Sequence, residues 1–142
     1  MENLGIDPRL FDYINHSINE TPFYSLLGIK VNKLGPGMAE LDTIAESKHS
    51  NPLGAVHGGL YMCIADAAMG NAVRSLGIKG VTADCSTAFI AAASNGDRIV
   101  ARGQVLKAGR NLVFVRAEVY AGEKLVADSK GTFYRTGIIE FK

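Results

Sequence analysis

The stretch Asn51 to Val73, NPLGAVHGGLYMCIADAAMGNAV, holds the residues of this chain best placed to do chemistry. From Gly58 onward it reads as one helix rich in Ala and Gly, with a single formal charge, Asp66, at its middle. A lone carboxylate in so apolar a helix costs stability unless something pairs with it or function demands it. Ahead of the helix, Pro52, Gly54 and the pair Gly58-Gly59 leave backbone N–H groups free to point at a ligand. One end therefore offers an oxyanion-type donor, and the middle offers a base or a nucleophile.

Their spacing limits how they can meet. Gly58 and Asp66 are eight residues apart, about 12 Å along a helix at 1.5 Å per residue. A donor and a base acting on one carbonyl must both lie within about 3–3.5 Å of the reacting atoms. One copy of the helix does not readily meet that demand. Two antiparallel copies related by a two-fold axis do, each Asp66 facing the other chain's Gly58. The spacing thus predicts an obligate homodimer with two equivalent sites at its interface.

Other constellations fit less well. His57 and Asp66, nine apart, fall on opposite helix faces at 100° per residue, which disfavours a dyad or shared metal ligation. His57 and Cys63, six apart, are also out of line. Cys63 lies three before Asp66 on the same side, where a carboxylate discourages thiolate formation. His16 and His49 have no partner in the sequence. There is no GxGxxG, P-loop or GxSxG motif. No metal and no cofactor are expected.

The elements that must position these groups follow from the pattern around them. Asp7-Pro8 starts a helix, with Leu10, Phe11, Ile14 and Ile18 as its apolar stripe. Thr21-Pro22 starts a short second one, stopped by Gly28. Two strands follow, Ile29 to Leu34 and Met38 to Ala45, joined at Gly35-Pro36-Gly37. The central helix ends near Leu76-Gly77, and an apolar helix of this kind has to be enclosed. Four further strands supply the wrap. The first puts Val81, Ala83, Cys85, Thr87, Phe89 and Ala91 on one face and Thr82, Asp84 and Ser86 on the other. The rest are Arg98 to Lys107, Asn111 to Tyr120 and Lys124 to Arg135. Short turns imply antiparallel pairing. The expected class is α+β: a curved antiparallel sheet of about six strands around one long central helix, in a single domain over residues 1–142.

Composition narrows the partners. The chain has 142 residues, 47% hydrophobic and 20% charged, as a compact globule requires. A formal net charge of +1 without a basic run gives no sign of nucleic acid binding. The N-terminus has neither a cationic start nor an apolar core, and no apolar run approaches the roughly 20 residues of a membrane span. The expected location is cytoplasmic. Cys63 and Cys85, both in apolar context, are expected to be buried free thiols.

The motif NPLGAVHGGLYMCIAD resembles the signature of hotdog-fold acyl-CoA thioesterases of the phenylacetate-degradation (PaaI-like) type. The likeness continues through GVTADCSTAFIAAASNGDRI and KAGRNLVFVRAEVY to the final strand. It implies a hotdog fold, an acyl-CoA substrate, and a homodimer that commonly pairs into a dimer of dimers. It also assigns roles. Gly58 is then the helix-N-terminal amide that polarises the thioester carbonyl, with Gly59 beside it. Asp66 activates water or attacks the acyl carbon. Asn51 positions the water or the leaving group, His57 holds the loop and the thioester end, and Thr82 supplies a hydroxyl near the carboxylate. Arg110 and Lys107, in the turn after the fourth strand, are placed to meet the coenzyme A phosphates. Plainer readings stand beside these: Asn51 as a turn former, Thr82 as a strand former, His57 as loop packing, Arg110 and Lys107 as solvated turn charges. An acyl-CoA sensor and a hotdog dehydratase or hydratase are the alternative functions.

Overall fold

The computed structural model describes residues 1–141. Helix α1 spans Pro8–Glu20 and α2 spans Pro22–Leu27, each with proline in its first turn. Asp7 caps α1, its carboxylate accepting the Arg9 N–H at 2.8 Å, and Leu10, Ile14 and Ile18 are buried along one side. Gly28 closes α2 at φ 71°, the left-handed conformation expected of it.

The sheet has seven strands: β1 (Glu2–Asn3), β2 (Lys30–Gly35), β3 (Met38–Ile44), β4 (Ile78–Phe89), β5 (Arg98–Ala108), β6 (Leu112–Ala121) and β7 (Lys124–Ile138). Their order across the sheet is β1-β2-β3-β5-β6-β7-β4, which leaves β4 at one edge. The six longer strands match the expected ones and pair antiparallel. The seventh is a correction, because β1 pairs parallel with β2 and makes the sheet mixed. Two residues carry no periodicity that a sequence could display. Side-chain knots hold β1 instead: Asn3 Oδ1 accepts the N–H groups of Gly5 and Ile6.

Helix α3 (Gly58–Arg74) lies across one face of this sheet. Ile64, Ala65, Ala68, Met69 and Ala72 are fully buried against it, facing among others Val113, Val115, Ala117 and Val119 of β6. Small residues set the approach. A Cβ on Gly103 of β5 would stand 2.4 Å from the Ala68 carbonyl oxygen, so β5 passes directly beneath the helix. The helix stops at Arg74 rather than at Leu76, where the Gly77 N–H turns back to the Arg74 carbonyl at 2.8 Å.

Two expectations need correction here. The single chain does not enclose α3: Met62 is 45% exposed, and Cys63, Asp66 and Gly70 are only half-buried. This open face borders β4, an edge strand whose Val81 and Phe89 are also exposed. Strand β4 also does not alternate as a simple strand. Thr82 pairs with Phe133 and Asp84 with Thr132, so Ala83 is an extra, bulged residue. The bulge shifts the phase and turns Thr82 to the same face as Cys85 and Thr87, the face of the buried Phe133 and Ser129. Cys85, expected to be buried, keeps the inward face but is exposed because nothing covers this edge of the single chain, while Cys63 is half-buried; both are free thiols.

Candidate active site

The N-terminus of α3 is built by its cap. His57 sits in extended backbone and its Nδ1 accepts the Gly59 N–H at 2.7 Å. That bond places the ring proton of neutral His57 on Nε2. The His57 N–H donates to the His49 carbonyl at 2.8 Å and the Leu60 N–H to the His57 carbonyl at 3.0 Å. Of the amides in this turn, Gly58 N–H alone takes no partner among the described hydrogen bonds. Gly59 is therefore spent on the cap, and Gly58 is the open donor.

The Gly58 amide borders a cavity of about 380 Å³ whose walls include Asn51, Val56, Tyr61, Phe89 and Ile90. Glycine is what this position admits without adjustment, since a Cβ would meet the Phe89 ring at 3.0 Å. Asn51 combines its two readings. Its Oδ1 accepts the N–H groups of Leu53 and Ala55 at 2.9 and 3.0 Å, which shapes the loop. Its carboxamide nitrogen has no hydrogen-bond partner among the described residues.

Asp66 opens into a different cavity, of about 500 Å³, bordered by Phe23, Tyr24, Met62, Cys63 and Cys85. Thr82 donates its hydroxyl proton to Asp66 Oδ1 at 2.7 Å, a contact that depends on the bulge at Ala83. Thr87, also on this wall, shares a 2.7 Å hydroxyl contact with the buried Ser129. Burial, followed by the neighbouring Asp66, pushes the Cys63 thiol up. Cys85 is raised by burial as well, against a lowering contact from Thr87, with Asp66 and Asp84 adding smaller upward effects. Neither thiol is set up as a thiolate nucleophile.

The remaining residues fall elsewhere. His57 and Gly59 line a third cavity of about 270 Å³, together with Lys48, His49 and Cys63. His57 and Cys63 thus do share a wall, contrary to their helical spacing, because His57 precedes the helix and its ring folds back over the first turn. Arg110 stands exposed in the turn between β5 and β6 and borders neither the Gly58 nor the Asp66 cavity. His49, which has no partner in the sequence, is buried: Nδ1 accepts the Glu46 N–H and Nε2 donates to the Leu27 carbonyl, each at 3.0 Å. Its partners are backbone groups, and no residue pattern displays those. Phe23, Tyr24 and Phe89 escape sequence reasoning as site residues too, since their apolar character reads as ordinary packing.

The site so described has two halves. A carboxylate oriented by a hydroxyl lies in one cavity, and an unpaired helix-N-terminal amide lies in another.

Residues 53–127 match the family model described as the thioesterase superfamily. Human acyl-coenzyme A thioesterase 13 is 30% identical over 115 residues, covering 78% of this chain and 82% of that protein. A mutant form of the phenylacetic acid degradation protein PaaI from Thermus thermophilus superposes with a TM-score of 0.78 at 32% identity, covering 81% of this chain and 99% of that one. A hypothetical thioesterase from Streptococcus pneumoniae, solved with coenzyme A, superposes with a TM-score of 0.76 at 25% identity, covering 79% and 91%.

Proposed function

This chain belongs to the thioesterase superfamily and is a thioester hydrolase of hotdog fold, and on that premise we propose that it hydrolyses acyl-CoA at two sites shared between two copies of the chain. Asp66 of one copy takes a proton from water as the water oxygen bonds to the thioester carbon. The N–H of Gly58 in the second copy receives the oxyanion that forms. The C–S bond then breaks and the coenzyme A thiolate takes up the proton, leaving free acid and thiol. Thr82 orients the Asp66 carboxylate. Asn51, beside Gly58, offers a carboxamide to the water or the leaving group, and His57 fixes the loop by capping α3.

The observation that carries this reading is the division itself. The open amide and the oriented carboxylate border separate cavities, about 12 Å apart along one helix. The open face of α3 and the bare β4 edge supply a surface on which a second copy, running antiparallel, brings each amide to the other's carboxylate. The cavity beside Asp66, with Phe23, Tyr24 and Met62, suits an aryl or medium-chain acyl group.

The test is thiol release from a panel of acyl-CoAs by the wild-type chain and by Asp66→Asn. The variant is expected to fold, to lose most turnover, and to keep or raise its melting temperature, because functional carboxylates are held at a cost in stability. Activity near wild type in that variant, or no release by wild type from any acyl group, would overturn the reading.

A further inference from the structure

We propose that Arg74 and Lys79 form an anchoring site for an oxyanion of the substrate, a carboxylate or a phosphate, at the end of α3 opposite Gly58. The inference rests on the hydrolase reading and extends it to a charge on the substrate. The arginines of this chain divide in an unexpected way. Arg9, Arg98, Arg102 and Arg116 have side chains 65, 51, 57 and 46% exposed, and each holds a carboxylate. Arg74, Arg110 and Arg135 hold none among the described residues: Arg110 is exposed in a turn and Arg135 donates to the Gly109 carbonyl. Arg74 is half-buried. Its Nη1 donates to Asn71 Oδ1 at 2.9 Å and its Nη2 to Ser17 Oγ at 2.7 Å, both neutral partners. The guanidinium also stands 5.9 Å from the centre of the Tyr13 ring. Burial acts on it first, lowering its basicity, and the other groups that act on it are the phenols of Tyr24 and Tyr13.

A second cation shares its cavity. Lys79 makes no ion pair among the described residues, and it borders the same space of about 290 Å³ with Tyr13, Arg74, Gly80, Thr136 and Ile139. Two like charges on one cavity repel, and an anion between them would relieve that repulsion. The C-terminus of α3 offsets only about half a charge. Arg74 keeps unused N–H donors in a planar fork, and the Thr136 hydroxyl adds another, which suits an oxyanion.

The position fits a substrate that starts at Asp66. Arg74 lies eight residues beyond it, about 12 Å along α3. Tyr24 lies toward both groups: it borders the Asp66 cavity though not that of Arg74, and its phenol feels the charge of each. The anion is either a carboxylate at the far end of the acyl chain or a phosphate of coenzyme A.

Steady-state kinetics of Arg74→Met and Lys79→Ala separate these sources. Each variant is compared with wild type on an acyl-CoA, its chain-matched ω-carboxyacyl-CoA, and the corresponding acyl-pantetheine, which lacks the phosphates. A loss of about tenfold in kcat/KM, the size of one charge-assisted contact, confined to the ω-carboxyacyl substrate supports the acyl carboxylate. The same loss on both coenzyme A thioesters, carried by KM and absent with acyl-pantetheine, supports the phosphate. Equal losses on all three substrates, or none on any, overturn the proposal. Should Arg74→Met fail to fold, Lys79→Ala carries the same comparison from an exposed side chain. Wild-type turnover on the panel tests the hydrolase reading independently.

Discussion

Replacing Gly58 with proline removes one N–H from the site and disturbs little else. Gly58 is the first residue of α3, where proline is well accommodated because that amide has no intrahelical partner. His57 has φ −66° and ψ 136°, the extended backbone that a residue before proline adopts. The new ring carbons would press on Phe89, which a Cβ at this position meets at 3.0 Å. Gly58→Ala is the matched control, since it brings the same Cβ against Phe89 and keeps the N–H. Loss of one oxyanion donor raises the barrier by about 2.7–4 kcal/mol, or about 100- to 1000-fold in kcat. Thiol release measured with a disulfide reagent reads the difference directly. A Gly58→Pro chain within about threefold of Gly58→Ala in kcat would refute the assignment of this amide. The same variant tests the sharing of the site. Differently tagged Gly58→Pro and Asp66→Asn chains, coexpressed and purified as mixed dimers, would hold one intact site and one doubly defective one. About half the wild-type activity per dimer is expected. Mixed dimers as inactive as either parent would sink the shared arrangement.

Further outcomes follow from single contacts. Thr82→Val strips the hydroxyl from Asp66 Oδ1 and is expected to lower kcat about tenfold with little change in melting temperature, while Thr82→Ser restores turnover. Gly103→Ala would press a methyl group to 2.4 Å from the Ala68 carbonyl oxygen. Overpacking of this kind costs about 1–3 kcal/mol, and calorimetry should show a melting temperature lower by about 2–4 °C per kcal/mol. The thiols give a pH dependence. Burial raises Cys63 and Cys85 above their ordinary value of 9.0, so the unfolded chain loses these protons first. Their contribution to stability is complete below that pH and is lost as pH climbs through the raised folded values. Urea midpoints should stay level from this source up to pH 9.0 and decline above it, less steeply in a Cys63→Ala, Cys85→Ala double variant.

Much of the sheet is legible in the sequence because β6, and β7 beyond its irregular start at Leu125–Val126, keep a period of two. Val113, Val115, Ala117 and Val119 are all buried as their alternation predicts. Strand β4 defeats the same reading for a physical reason. A bulge adds one residue without changing composition, so Ala83 inverts the parity of everything after it and leaves no mark in the sequence. Proximity of Thr82 to Asp66 follows from family resemblance; parity alone puts Thr82 on the wrong face. The cap at His57 is hidden in another way. Histidine is an uncommon N-cap, and its acceptor role emerges only once the ring is seen folded onto Gly59. The eight-residue gap between Gly58 and Asp66 is readable from helical rise alone, and the two separate cavities agree with it.

The bare edge of β4 has a consequence for the newly made chain. Twelve residues of strand, Ile78–Phe89, present unpaired backbone on one side, with Val81 and Phe89 exposed along it. Such an edge is a template for any passing strand, and neither proline nor a β-bulge at its Phe89 end blunts it. Dilution then becomes a hazard in its own right. At low concentration a lone chain waits longer for its proper match, and throughout that interval it is exposed to losses that need no second chain, such as local opening and adsorption at surfaces. Recovery of active protein after refolding should therefore pass through a maximum with chain concentration, falling at the dilute end where most proteins refold best.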